Sequence, residues 1–330
     1  MTETRLHVLG IGNAIVDVLS QVKDDFLVQQ NLKKGAMTLV DASRADELYR
    51  AMPPAVECSG GSAANTIAGI ASLGGRAGYV GKVRDDQLGQ VFAHDIRSLG
   101  VEFASAPASR GPSTARCLIM VTPDAQRTMQ TYLGACVELT AHDIDEKQVA
   151  AAEITYLEGY LWDPPQAKEA FRRAIRVAHD AGRRVALSLS DAFCVDRYRS
   201  DFLHLVRDDV DILFANEQEI TALYQVKDFD AALQHVRELD LICALTRSAK
   251  GSVIVAGKEI HVIDAEPVAR VMDTTGAGDL YAAGFLWGLT DGQDLRTCGR
   301  VAGLCAAEII SHLGARPQTS LADLVRQTLG

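Results

Sequence analysis

The chain has 330 residues, of which 48% are hydrophobic and 23% charged, and its 33 basic against 43 acidic residues give a formal net charge of -10. This length and apolar content are enough for one large α/β domain with an appended part. The acidic balance argues against recognition of nucleic acid through a basic face, although backbone amides can still bind a small phosphorylated ligand.

Seven cysteines occur and none forms a CxxC pair. We therefore expect buried thiols and neither a disulfide framework nor a zinc site. The N-terminal string MTETRLHVLGIG lacks a basic segment followed by an apolar run, and no stretch of about 18 apolar residues follows it. We expect a cytoplasmic protein that does not bind a membrane.

Short apolar runs alternate with helical patterns along most of the chain. Residues 6–12 and 154–160 are typical of strands, and 62–75 of a helix that is capped by Ser62 and ended by two glycines. A further helix begins with proline and ends at Gly182, and the strings RVALSLS and VDILFAN predict more strands. This alternation predicts a mainly parallel sheet covered by helices.

One region departs from this alternation. Between 101 and 133, three strand-like runs are joined by turns with no helix between them, and a second β-like portion covers 14–40. We interpret both as parts of a small sheet that lies across the larger domain and acts as a lid. The alternative is an antiparallel extension of the main sheet.

Familiar nucleotide motifs do not account for the glycine-rich stretches. The string GIGNAIVD (10–17) begins like a dinucleotide fingerprint, but Ile15 stands in place of its third glycine. The sequence contains no GxxxxGK[ST] loop and no protein-kinase HRD or DFG string. A nucleotide would have to be bound in another way.

The stretch DTTGAGDLYAAGF (273–285) is the strongest candidate for a catalytic centre. Its small residues Gly276, Ala277 and Gly278 precede an apolar helical pattern with Asp279 in the first turn. Free amides and the positive end of the helix dipole favour an oxyanion at such a place. Asp279 could accept the proton of an attacking alcohol while these amides stabilise a phosphoryl group. The alternative is that Asp279 only complements the dipole.

This stretch and the string SGGSAANTIAGIASLGGRAGYVGKVRDDQLG (59–89) resemble the two signatures of the PfkB, or ribokinase-like, family of carbohydrate and nucleoside kinases. The resemblance extends over nearly the whole chain. It implies a ribokinase-like three-layer α/β/α sandwich with a mainly parallel central sheet and a small β-sheet lid. We expect one domain over 1–330, with the lid at about 14–40 and 101–133.

Three shorter strings, GNAIVD (12–17), QRTMQTYLGAC (126–136) and FANEQE (214–219), most resemble the adenosine kinases of that family. The resemblance implies ATP-dependent phosphorylation of the 5′-hydroxyl of adenosine to give AMP and ADP, with Mg²⁺ and K⁺ as cofactors. A kinase for ribose or a fructose-like sugar, another nucleoside kinase and a silent nucleotide-binding protein are the alternatives. A monomer and a homodimer both fit.

The resemblance also assigns the catalytic and sugar-binding residues. Asp279 matches the catalytic base, and 276–278 match the anion hole. Asp17 matches the carboxylate that binds the ribose hydroxyls, since a carboxylate can accept from two donors of a diol. Further sugar contacts match Asn13, Gly61, Ser62 and Asn65. As alternatives, Asp17 could be a cap or turn residue, and the glycines could only form a tight turn.

Adenosine also needs an apolar slot for its base. Trp162 and Phe193 follow predicted strands at the carboxyl edge of the sheet, where ligands of such sheets bind. They resemble the residues that sandwich the purine in the family, although both could instead be core aromatics. Weaker candidates are Ile15, Met37, Leu133 and Ala135.

The ATP contacts are assigned in the same way. Asn216 and Glu219 match an NxxE motif, with Asn216 on phosphate and Glu219 on Mg²⁺ through water; alternatively they form a helix capping box. Thr246 and Gly251 match a nucleotide loop in which Ser248 replaces the usual glycine.

Arg127 could donate to the transferred phosphate or be a surface residue. Asp273 and Thr275 resemble positions that hold a monovalent cation together with carbonyls near Gly314, and turn chemistry is the alternative for Asp273. His312 could face the ATP base or only interact with the end of its helix.

Overall fold

The computed structural model describes residues 5–124 and 126–330. The strands are β1 (Leu6–Ile11), β2 (Ile15–Gln21), β3 (Met37–Leu39), β4 (Val56–Gly60), β5 (Ala77–Val80), β6 (Ala115–Val121), β7 (Arg127–Tyr132), β8 (Ala152–Glu158), β9 (Arg184–Ser188), β10 (Ile212–Asn216), β11 (Ile242–Thr246), β12 (Ser252–Ala256) and β13 (Glu259–Ile263). The helices are α1 (Asp24–Gln29), α2 (Ala42–Ala51), α3 (Ser62–Ser72), α4 (Gln87–Ser98), α5 (Glu146–Ala151), α6 (Pro165–Asp180), α7 (Ala192–Asp208), α8 (Glu217–Tyr224), α9 (Phe229–Val236), α10 (Ala277–Thr290), α11 (Leu295–Ile310) and α12 (Leu321–Leu329).

The central sheet has eight strands in the order β13-β12-β11-β10-β9-β8-β1-β5. Six neighbouring strands, from β11 to β5, are parallel, and β12 and β13 add an antiparallel edge. The predicted mainly parallel sheet is confirmed. In such a sheet the strand ends that carry ligand-binding side chains lie along one edge.

Alternating side chains of the central strands pack into two cores, because successive residues of a strand point to opposite faces. In β10, Ile212 and Phe214 pack on one face with α3, α10 and α11. Leu213 and Ala215 pack on the other face with α6, α7, α8 and α9. The chain therefore forms three layers, with helices on both sides of the sheet.

The start of α3 differs from the sequence-based prediction. Gly61 is its N-cap, with a φ of 94°, and Ser62 is the first helical residue and makes no capping bond. The Ser62 hydroxyl is thereby free to bond elsewhere. By contrast, α6 begins at a proline and is followed by Gly182 with a φ of 68°, as predicted.

Five strands form a second, smaller sheet, here called the small sheet, in the order β3-β7-β6-β2-β4. The predicted segments 14–40 and 101–133 supply β2, β3, β6 and β7, whereas β4 lies outside both. Residues 102 and 108 instead form isolated bridges with Gly78 and Arg84, beside β5 of the central sheet. The small sheet thus begins later, and draws on more of the chain, than the sequence predicted.

All seven cysteines are free thiols, and six of them are buried, as the sequence predicted. Among the described residues, no helix combines the length and the apolar character that a membrane-spanning segment requires.

Candidate active site

A cavity of about 1360 Å³ lies between the carboxyl ends of the central strands and the small sheet. It is larger than the few hundred to about 1,000 Å³ that one small ligand usually occupies. The predicted site residues that line it are Asn13, Asp17, Gly61, Ser62, Asn65, Phe193, Asn216, Glu219, Thr246, Gly251, Thr275, Gly276, Ala277, Gly278 and Asp279. The cavity has room for two ligands side by side.

Asp279 lies in the first turn of α10 and is held by two residues of α3. The Ser62 hydroxyl donates to Oδ1 at 2.6 Å, and the Asn65 amide donates to Oδ2 at 2.9 Å. Burial raises the pKa of Asp279, and these two donors and Arg316 lower it. Ser62 and Asn65, predicted as sugar contacts, therefore fix the orientation of the predicted base.

The backbone before Asp279 provides free donors. Gly276 caps α10 in the left-handed conformation with a φ of 78°, which glycine adopts without strain. The Ala277 amide donates to the Thr274 carbonyl at 3.3 Å. No protein acceptor among the described residues pairs with the amides of Gly278 or Asp279. These two N–H groups at the positive end of a helix can bind an oxyanion beside the carboxylate.

The turn between β4 and α3 permits a close approach that only glycine allows. A Cβ at Gly60 would lie 2.3 Å from the carboxyl carbon of Asp17, and one at Gly61 would lie 2.3 Å from the Asn13 carbonyl oxygen. This turn brings the backbone against the side chain of Asp17 and the main chain of Asn13, the residues predicted to bind the sugar. The tight turn is therefore present, and it leaves the predicted sugar contact possible at the same backbone.

Asp17 lies on β2, and its side chain reaches the cavity. Its cross-strand neighbours are Cys58 on β4 and Cys117 on β6. Burial raises the pKa of Asp17 to about 6, against the opposing influence of Arg316 and Arg127. The carboxylate is thus costly to keep ionised when nothing is bound, and hydroxyl donors from a ligand would relieve that cost.

Glu158, which the sequence analysis did not single out, is a further carboxylate of the cavity wall and is almost completely buried. It accepts from the Asn13 amide and from the Ala63 backbone N–H, both at 2.8 Å. Burial raises its pKa to about 7. It lies at the end of β8, and its position at the carboxyl edge of a predicted strand was the available signal.

Arg316 was also missed, because it lies in a loop after α11 and outside both signature strings. Its guanidinium donates to the Ser59 carbonyl at 2.7 Å and to the Ala64 carbonyl at 2.7 Å, on either side of the glycine turn. Its positive charge lowers the pKa of both Asp17 and Asp279, and at each of them it does so more than any other charged group. No local sequence feature reports contacts between residues this far apart.

Of the two aromatic residues predicted to bind the purine, Phe193 lines the cavity, whereas the prediction for Trp162 is wrong because its ring lies in the core. Trp162 is 1% exposed, packs on Phe171 and Phe202 in the core beneath the sheet, and donates its indole N–H to Asp201 at 2.8 Å. Phe193 is 68% exposed and lines the cavity. Both follow strands, but Trp162 ends a short 3₁₀ turn that directs its ring inward.

The small sheet supplies an apolar wall of the cavity, here called the roof. It is made of Ile15, Met37, Leu39, Ile119, Met129 and Leu133. Met37 and Leu39 lie on one face of β3, an edge strand, and are 47% and 52% exposed. Three of the weaker sequence candidates belong to the roof, whereas Ala135 is fully buried.

The strand ends opposite the small sheet form a second, more polar part of the cavity. Asn216 and Glu219 make a reciprocal capping box at the start of α8, and both face the cavity. Burial raises the pKa of Glu219 to about 7. Ser248 adopts the left-handed conformation with a φ of 53°, which glycine adopts more readily than serine does.

Three further predicted contacts, Arg127, Asp273 and His312, lie away from the cavity wall. Arg127 and Asp273 form an ion pair with each other at 2.7 Å and are almost completely buried. In this structure the Arg127 guanidinium therefore binds the carboxylate of Asp273, where the sequence predicted a phosphate. His312 bonds to Glu308 and to the Leu313 carbonyl, which favours the interpretation that it only stabilises the end of its helix.

Comparison with known proteins links this geometry to a family. The model of the pfkB family carbohydrate kinases matches residues 31–321. The structure of adenosine kinase from Sinorhizobium meliloti is 54% identical, covers 98% of this chain and 99% of its own, and gives a TM-score of 0.91. A probable sugar kinase from Rhizobium etli is 51% identical over 98% of each chain, with a TM-score of 0.92. The adenosine kinase of Saccharomyces cerevisiae is 27% identical over 92% of this chain and 94% of its own.

Proposed function

Since this chain belongs to the pfkB family of carbohydrate kinases and is an ATP-dependent phosphotransferase, we propose that its acceptor is the 5′-hydroxyl of adenosine, with AMP and ADP as products. The ribokinase-like fold and the family predicted from two separated strings are confirmed. The choice of acceptor rests on the walls of the cavity.

The roof is the observation that carries the nucleoside assignment. It places apolar side chains of the small sheet over the same cavity that holds Asp17 and Asp279. A plain sugar is polar on every edge and would leave this surface exposed to water. A purine would cover it, at a gain of about 25 cal/mol per Å² of apolar area buried. The exposed ring of Phe193 offers an aromatic face to the same base.

The ribose fits the polar surface of the cavity, here called the floor, which is made of Asn13, Asp17, Gly61, Ser62, Asn65, Glu158 and Asp279. Asp17 lies on β2 of the small sheet, two residues from Ile15 of the roof, so the floor and the roof adjoin there. Asp17 accepts from the two hydroxyls of the diol, and Asn13, held by Glu158, adds an amide that can donate or accept. Gly61 brings backbone to the sugar edge. In this orientation the 5′-hydroxyl points along the floor towards Asp279.

Asp279 then acts as the general base. Ser62 and Asn65 donate to its two oxygens. Burial raises the pKa of Asp279, and a higher pKa makes the carboxylate a better proton acceptor at neutral pH. The free amides of Gly278 and Asp279 stabilise the charge that spreads over the phosphoryl oxygens during transfer. Both functions depend on the same turn of α10.

ATP occupies the polar part of the cavity, with Asn216, Thr246 and Gly251 as contacts. The Glu219 carboxylate accepts two bonds from Asn216, at 2.6 and 2.9 Å, and keeps further lone pairs that face the cavity. It therefore fits a Mg²⁺ ion held through water, which is the coordination that magnesium prefers. Bound there, Mg²⁺ would neutralise part of the charge on the phosphates.

A sugar kinase is the second candidate. The floor alone, with Asp17, Asn13 and the glycine turn, could bind a plain sugar, and one relative with 51% identity is described as a probable sugar kinase. That interpretation leaves the roof without a ligand, which is why we rank it second.

Steady-state turnover with adenosine, inosine, ribose and fructose at saturating Mg-ATP separates the two candidates. We expect kcat/KM for adenosine to exceed that for ribose by about 10²-fold or more, since binding of a base adds several kcal/mol. Turnover of ribose or fructose without turnover of adenosine would overturn the nucleoside assignment.

A further inference from the structure

The carboxylate of Asp273 accepts three hydrogen bonds from the protein, and both of its oxygens are occupied by donors. Oδ1 accepts from Arg127 Nη1 at 2.7 Å and from the Thr275 amide at 3.0 Å, and Oδ2 accepts from the Gly314 amide at 3.0 Å. The side chains of Asp273 and Arg127 are only 2% and 7% exposed. Three N–H groups thus surround the place where a cation ligand was predicted.

This arrangement does not fit a monovalent cation. Such an ion needs oxygen lone pairs directed at it, whereas here N–H groups are directed at the carboxylate and a guanidinium already supplies one positive charge. Thr275 and Gly314 contribute amide hydrogens to the group. The expected K⁺ site at Asp273 and Thr275 is therefore not supported by this donor set.

The ion pair connects the small sheet to the loop that precedes α10. Arg127 begins β7 of the small sheet, and Asp273 opens the loop that leads to the cap of α10. Thr275, bonded to the same carboxylate, is adjacent to Gly276, where the left-handed turn directs the following amides at the cavity. The position of Asp273 therefore determines the geometry of the anion hole.

We propose that the Arg127 guanidinium takes the place of a monovalent cation beside the anion hole, so that phosphoryl transfer by this chain needs no added K⁺. Arg127 is a positioning residue that acts through Asp273. Its removal would leave a buried carboxylate without a counter-charge, which is unfavourable enough to recruit a cation from solution. The proposal rests on the kinase activity described above but not on which acceptor is used.

The first test uses the wild-type protein in chloride salts of potassium, sodium and choline at constant ionic strength. We expect kcat/KM to agree within about 2-fold among the three, because the guanidinium supplies a fixed charge. A loss of about 10-fold or more in choline chloride alone would overturn the proposal. Absence of turnover with every acceptor in every salt would instead contradict the proposed function.

The second test uses Arg127→Met. We expect its activity in choline chloride to fall about 10²-fold and to recover in part with KCl, and we expect its melting temperature to rise in KCl relative to choline chloride. Arg127→Lys keeps the charge and should remain independent of the cation. An Arg127→Met protein that gains neither activity nor thermal stability from K⁺ would overturn the proposal.

Arg116→Met is the matched control. Arg116 lies on the neighbouring strand β6, is as buried as Arg127, and forms its ion pair with Asp46 of α2, away from α10. Loss of that pair can destabilise the small sheet, but we expect no difference between KCl and choline chloride. K⁺-specific recovery of Arg116→Met would mean that the cation acts generally, and would overturn the assignment to Arg127.

Discussion

The floor and the roof of the cavity are built by opposite means. On the floor, Asp279 is fixed by two hydrogen bonds from α3, and Glu158 by two more. On the roof, Met37 and Leu39 lie half-exposed on an edge strand of three residues. If the proposed function is right, the groups predicted to react are in place before ligands bind, whereas the surface predicted to contact the base is completed by the ligand.

The largest expected effect concerns the floor. Asp279→Asn keeps the size of the residue and one of its two acceptor oxygens, but its amide cannot accept the proton of the alcohol. We expect kcat to fall about 10³-fold or more, with adenosine affinity by calorimetry within a few-fold of wild type. Near-normal turnover of this variant would show that another group is the base.

Asp17→Asn should separate stability from activity. Burial raises the pKa of Asp17 to about 6, so folding favours its protonated form, and its stabilising contribution, present below about pH 4, is lost as the pH rises through 6. At pH 8 the variant should therefore unfold with a free energy about 1–3 kcal/mol higher than wild type, with little difference at pH 4. Its kcat/KM for adenosine should fall about 10²-fold because the diol loses a charged acceptor.

Urea denaturation at the two pH values measures the stability difference. A variant that is less stable than wild type at pH 8 would show that the Asp17 carboxylate is satisfied within the protein and does not wait for a ligand.

Arg316→Met tests the electrostatic connection between the two carboxylates. Arg316 lowers the pKa values of both Asp17 and Asp279. Arg127 and Asp279 also face Asp17, where Arg127 lowers its pKa and Asp279 raises it. Without it, the acidic limb of the kcat/KM profile should move about one unit to higher pH. A profile that only decreases in height, with its limb unmoved, would limit Arg316 to holding the glycine turn.

The smallest effect concerns the roof. Met37→Ala with Leu39→Ala should raise the KM for adenosine about 10-fold through lost apolar contact, with little change in kcat and none with ribose. Val56→Ala is the control, since Val56 is a 68% exposed residue of the small sheet outside the cavity wall. Equal changes in the control, or for ribose, would contradict a role of the roof in selecting the base.

The sequence predicted most of the fold because local patterns determine it. The alternation of strands and helices and the glycine-rich turns are short-range signals, and they located the central sheet and Asp279. The strand β4 was missed because its five residues, VECSG, carry little apolar alternation. Its place in the small sheet depends on pairing with β2, a contact that a single sequence does not show.

The sequence predicted those residues of the candidate site that belong to a motif. It did not predict the residues that only tertiary contacts bring to the cavity. Glu158 and Arg316 complete the floor through residues distant in the chain, and neither belongs to a signature. Trp162 and Phe193 carry the same local signal, yet one ring lies in the core and the other in the cavity. The direction of a side chain after a strand depends on a backbone turn that composition does not specify.

A crystal structure with adenosine and a non-hydrolysable ATP analogue tests the central claim most directly. The account predicts the 5′-oxygen about 2.6–3.2 Å from an oxygen of Asp279, with the base under the roof and the terminal phosphate at the amides of Gly278 and Asp279. A 5′-oxygen directed away from Asp279, or a terminal phosphate bound away from those amides, would contradict it.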